Sequence, residues 1–100
     1  MAKRVALTVL AEEDYTKVVS YLASHWGDTV LDKFITRYEK IISILEEDAI
    51  RYPFVDGSAT VRKCVLTEHN IIYFIDTDEM VKIITVFDTR QDPDKLFKIF

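Results

Sequence analysis

Residues 61–87 read Val61-Arg62-Lys63-Cys64-Val65-Leu66, Thr67-Glu68-His69-Asn70, Ile71-Ile72-Tyr73-Phe74-Ile75-Asp76, Thr77-Asp78-Glu79 and Met80-Val81-Lys82-Ile83-Ile84-Thr85-Val86-Phe87. Three runs rich in β-branched and aromatic residues alternate with two short polar breaks, which is the pattern of strands joined by hairpins. A parallel return would need a crossover of a dozen residues or more, so Val61–Leu66, Ile71–Asp76 and Met80–Phe87 form an antiparallel meander. One face of such a sheet must be buried against another layer.

Working outward, the third run leaves through Val86-Phe87-Asp88-Thr89-Arg90-Gln91-Asp92-Pro93, and Pro93 opens a final helical turn or short helix. Upstream, 54–60 is a loop, and Pro53 disfavours helical geometry just before it. The layer that covers the sheet lies before that loop. Leu31, Phe34, Tyr38, Ile41 and Leu45, widened by Ile35 and Ile42, repeat at helical spacing. They define a helix over about 28–51, roughly 35 Å long at 1.5 Å per residue. An earlier helix starts near Ala11, and Tyr15, Val18, Val19, Leu22 and Trp26 form its apolar stripe. Glu12, Glu13 and Asp14 suit its positive end, Gly27 closes it, and Asp28 can cap the next helix. Residues 3–9 are β-capable and read as a first strand. The fold class is α+β, in the order β-α-α-β-β-β, a small antiparallel twisted sheet on a helical hairpin with a short C-terminal helical tail.

At 100 residues the chain is expected to form one domain over 1–100. With 49% hydrophobic and 30% charged residues, a folded soluble domain is expected over a disordered one. The opening basic residues and short apolar run resemble a signal peptide only briefly, because Glu12-Glu13-Asp14 follow at once. No apolar segment approaches the roughly 18 residues of a membrane span. A lone Cys64 allows no intramolecular disulfide and no CxxC site, which fits a reducing compartment and predicts a cytoplasmic location. Net charge is −4, and that acidic balance disfavours binding driven by phosphate contacts.

Few residues suggest chemistry. No phosphate loop, nucleophile elbow or metalloprotease motif is present, and neither a cofactor nor a metal is expected. Cys64, mid-strand among Val61, Val65 and Leu66, reads as a small buried apolar residue. His25 reads as a surface residue near a helix end and His69 as a hairpin residue. Asp76, Asp78 and Glu79 read as a solvated hairpin tip. The basic residues remain. Arg62 and Lys63 are adjacent on one strand and point to opposite faces. Arg90 stands at a strand end, either paired with Asp88 or Asp92 or presented to a phosphate or a partner.

The stretch VRKCVLTEHNIIYFIDTDEMVKIITVFDTRQDPDKL resembles the second half of the RelE/ParE family of type II toxins. The resemblance rests on Arg62, the strand YFID at Tyr73–Asp76 and the ending TVFDTRQDP with Arg90. It extends to the first half through LAEEDYTKVVSYLASHW. It implies a cognate antitoxin held in a toxin–antitoxin hetero-oligomer and no membrane partner. Arg62 and Arg90 match basic positions of the family sheet, and Arg62, Arg90, Asp88 and Gln91 are the partner-binding candidates. ParE-like relatives poison DNA gyrase, whereas ribonuclease relatives cut mRNA on the ribosome. In a ribonuclease, Arg62, Arg90 and Lys63 would act on the phosphate. Metal-free RNA cleavage also needs a base and an acid. Here Asp88 stands where many relatives have a histidine, and the tail lacks Tyr or His. The expected function is therefore gyrase poisoning. The alternatives are a ribosome-dependent mRNA endoribonuclease and an inactive antitoxin-binding relative.

Overall fold

A computed structural model describes residues 2–100. The chain runs β1 (Arg4–Leu7), α1 (Val9–His25), α2 (Asp28–Glu47), β2 (Val61–Thr67), β3 (Asn70–Asp76), β4 (Met80–Asp88) and α3 (Pro93–Ile99). These elements form a four-stranded sheet in the order β1-β4-β3-β2. The meander β2-β3-β4 is antiparallel, as its short connections require. The first strand is different. It pairs with β4 in parallel, Arg4 opposite Met80 and Leu7 opposite Ile83, so the sheet is mixed and not antiparallel throughout. The helical hairpin is the crossover that permits this: it carries the chain across one sheet face, from β1 at one edge to β2 at the other.

The helix boundaries follow local chemistry. Thr8 caps α1, its Oγ1 accepting from the Ala11 amide at 3.1 Å, so the helix starts two residues before Ala11. Gly27 takes φ 82° and ψ 179°, a conformation close to glycine-only, and begins α2 directly after α1 ends. Asp28 is therefore the first helical residue, where its carboxylate meets the helix dipole, and not a cap. The second helix stops at Glu47, four residues short of the sequence expectation. Asp48 turns left-handed there, and its amide bonds back to Ile44 and Leu45. Pro53 lies well beyond this end.

The apolar stripe of α2 is core. Phe34, Tyr38, Ile41 and Leu45 are buried against Cys64, Leu66, Ile72, Phe74, Val81, Ile83 and Val86 of the sheet. From α1 come buried Ala11 and half-buried Tyr15, Val18 and Leu22. Trp26 does not belong to this stripe: it is 61% exposed, because the chain reverses at Gly27 immediately after it. The opposite sheet face has its own small core of Val61, Tyr73 and Phe87, covered by Val55 of the loop and by Leu96 and Ile99 of α3. Phe100 packs edge-on to Tyr73 at 5.3 Å.

Candidate partner-binding site

The end of β4 is tied to the β2–β3 hairpin. Asn70 pairs with Asp88, and the Thr89 amide donates to the His69 carbonyl at 2.8 Å. This places Arg90 just past the sheet and beside Asp88. The Arg90 guanidinium donates to both carboxylate oxygens, Nε to Oδ1 at 3.0 Å and an Nη to Oδ2 at 2.8 Å. Its amide adds a third bond to Oδ1 at 2.9 Å. The hydrogen bonds from the Arg90 side chain hold the Asp88 carboxyl below its usual range, against the opposing effect of burial. The Arg90 side chain is still 57% exposed, so it can meet a second anion. Asp92 is not its partner: the Asp92 carboxylate caps α3, accepting from the Asp94 amide at 3.0 Å.

Asp88, Arg90 and Gln91 form one wall of a groove of about 1050 Å³ between the helical hairpin and this end of the sheet. His69 stands on the same wall, its Nε2 3.2 Å from a Glu68 carboxylate oxygen. From the sequence His69 reads as a hairpin residue, the only nearby imidazole but poorly placed; the long-range register of β3 and β4 sets it beside the Arg90 turn. The facing wall comes from the helices and carries Lys17, Lys33 and Arg37 with exposed Tyr21, Trp26 and Val30. None of these was a site candidate in the sequence. The one available signal was Trp26, a large residue beside the hairpin glycine.

Arg62 lies elsewhere. It pairs with Phe74, four residues along β3 from Asn70, so roughly 13 Å of strand separates its level from that of Asp88. Its guanidinium donates to the Tyr52 carbonyl at 2.5 Å and stacks 3.9 Å from the centroid of the Phe54 ring. These contacts hold the loop 52–54 to the sheet edge. Lys63 projects to the other face, opposite Tyr73. Arg62, Lys63 and Arg90 thus do not converge on one phosphate. Cys64 is buried, and burial pushes its thiol up. The neighbouring Tyr52 hydroxyl is pushed up to about 12, again mainly by burial. Among the described residues no helix is long and apolar enough to cross a membrane.

Similarity to known proteins agrees with this architecture. No curated protein sequence matches the chain significantly. Among solved structures, the chromosomal ParDE toxin-antitoxin system from P. aeruginosa superposes with a TM-score of 0.69 at 12% identity, covering 87% of this chain and 96% of that one. The YoeB dimer from Staphylococcus aureus gives 0.64 at 10% identity, covering 87% and 97%. The E. coli DinJ-YafQ toxin-antitoxin complex gives 0.64 at 11% identity, covering 90% and 96%. Such identities show a shared fold. The sequence model of the ParE toxin of type II toxin-antitoxin systems, parDE, matches residues 5–93, nearly the whole chain. By that match and this fold, the chain belongs to the ParE toxin family of type II toxin-antitoxin systems.

Proposed function

We propose that this toxin acts in the cytoplasm by binding and poisoning DNA gyrase, and that a cognate antitoxin neutralises it in a hetero-oligomer. One observation carries the choice of binding over catalysis. Arg62, Lys63 and Arg90, the cations that an RNA-cutting site was expected to gather on one phosphate, are dispersed. Arg62 is engaged by Tyr52 and Phe54 at one level of the sheet, and Arg90 is engaged by Asp88 at another. Asp88 is a poor general base, because it accepts three hydrogen bonds from Arg90 and its carboxyl is held below the usual range. The ParE family match and the resemblance to gyrase-poisoning relatives support the same target.

Expression without the antitoxin, with DNA and protein synthesis pulse-labelled side by side, tests the target. Early arrest of DNA synthesis with accumulation of gyrase–DNA complexes is expected. Early arrest of translation with DNA synthesis intact overturns the gyrase reading in favour of an mRNA endoribonuclease. The closeness of His69 to Arg90 would then make the His69→Ala variant the first to assay. If neither synthesis stops, the chain is an inactive antitoxin-binding relative.

A further inference from the structure

The sheet face opposite the helical hairpin is only partly covered. Leu96 and Ile99 of α3 lie over Val61, Tyr73 and Phe87, while Arg4 and Lys82 stay exposed. The register fixes which side chains share this face. Residues directly opposite each other on neighbouring strands point the same way, as do residues two apart on one strand. Lys63 stands opposite Tyr73 and Lys82 opposite Ile75, and Tyr73 and Ile75 both belong to this second core. Arg4 stands opposite Met80, two residues before Lys82 on β4.

The three cations therefore form one diagonal row. Each step between them crosses strands about 4.8 Å apart and moves two residues, about 6.6 Å, in the same direction along the sheet. That gives about 8 Å from Arg4 to Lys82, about 12 Å from Lys82 to Lys63 and roughly 20 Å in all. None of the three makes an ion pair among the described residues. No strand residue that points to this face is acidic. Asp76 turns to the other face, where Lys3 holds it at 2.7 Å. The groove beside Arg90 differs, because Asp14, Glu68 and Asp88 stand among its cations. A chain of net charge −4 thus keeps a row of cations unopposed.

We infer that this row binds the phosphate backbone of duplex DNA, so that the toxin touches DNA as well as a protein target. Its length matches about six base pairs, at about 3.4 Å of axis per phosphate on each strand. Both β3 and β4 are paired on both sides, so the face offers an incoming molecule its side chains alone. Cationic side chains spaced along a rigid sheet suit a regular line of phosphates and carry no base readout. Single-stranded nucleic acid would need exposed rings on which its bases stack. Tyr73, the ring beside Lys63 in this row, is 6% exposed and lies against Phe100. Three phosphate contacts are few, so the toxin holds DNA weakly on its own and firmly only where gyrase also holds it. That last step rests on the gyrase reading above.

The test uses the full-length toxin and a short fluorescent DNA duplex, read by anisotropy at low salt. Log affinity is expected to fall against log salt with a slope of about −2.7, about −0.9 for each of three phosphates. Arg4→Gln/Lys82→Gln is expected to bind about tenfold more weakly and to flatten that slope by about 2, whatever the duplex sequence. Lys33→Gln/Arg37→Gln, in the groove, should match the parent. NMR of the unaltered toxin gives a readout independent of any variant: the duplex should shift the amides of Ala6, Lys63 and Lys82 and spare those of α2. Absence of duplex binding by the parent overturns the inference. So does binding that the groove variant loses and Arg4→Gln/Lys82→Gln keeps. Tighter binding of a single-stranded RNA of the same length also overturns it, as does an Arg4→Gln/Lys82→Gln variant that loses antitoxin affinity and keeps the duplex. Gyrase–DNA complexes formed with the same variants judge the gyrase reading apart. Parental poisoning by Arg4→Gln/Lys82→Gln removes the DNA contact from the toxin's action and leaves the gyrase reading intact. Failure of the parent to poison gyrase defeats that reading, while anisotropy still decides the DNA contact.

Discussion

Arg90 and Arg62 are both arginines on a sheet, yet their surroundings give them different work. Arg90 is exposed, and its grip on Asp88 fixes its direction without consuming all of its donors. The depressed Asp88 carboxyl has a defined pH signature. Its folded value lies below its unfolded value of about 3.9, so the pair contributes stability above that pH, and the contribution is lost as pH falls through the folded value. In a carboxyl-carbon NMR titration, Asp88 is expected to titrate below the ordinary aspartate range, and Arg90→Gln to return it to that range. An ordinary Asp88 value in the parent would remove the bidentate pair from the account. Arg62 is instead a structural contact. Arg62→Ala loses a hydrogen bond to a backbone carbonyl and a stacked ring, for about 1–2 kcal/mol measured by denaturant unfolding. The toxicity of the variant should scale with its folded fraction.

The elements were legible to different depths. The three meander strands appear in the structure within one residue of their sequence bounds, since alternating β-rich runs broken by short polar turns leave little choice. Helix ends were less legible, because Thr8, Gly27 and Asp48 decide them through single-residue backbone geometry. Individual side-chain contacts between the helices and the sheet were not legible. Asp14, which the sequence placed in a helix first turn, in fact joins α1 to β4. Its carboxylate accepts from the Thr85 hydroxyl and, at 3.2 Å, from the Val86 amide, and Thr85 is 1% exposed. Asp14→Ala leaves those donors without an acceptor and is expected to cost about 1–3 kcal/mol by denaturant unfolding. A loss near zero would mean that water replaces the carboxylate.

At the scale of the molecule, the sheet has two covered faces of unequal strength. The helical hairpin supplies a broad core on one side, while the other depends on a seven-residue helix. Truncation before Pro93 should uncover Tyr73 and Phe87, lower stability by about 2–4 kcal/mol and increase binding of a hydrophobic dye. Unchanged dye binding would show that the second core stands without α3. The order of the elements, the helical hairpin as cover for the sheet and the basic residues worth testing followed from the sequence. The first two depend on periodicity or turn chemistry within a few neighbouring residues, and the third on the family resemblance. Three features waited for the tertiary structure: the parallel docking of β1 on β4, the groove that unites His69 and Arg90 with Lys33 and Arg37, and the separation of Arg62 from that groove. All three are set by register and packing between residues far apart in the chain, and no local pattern encodes such distances.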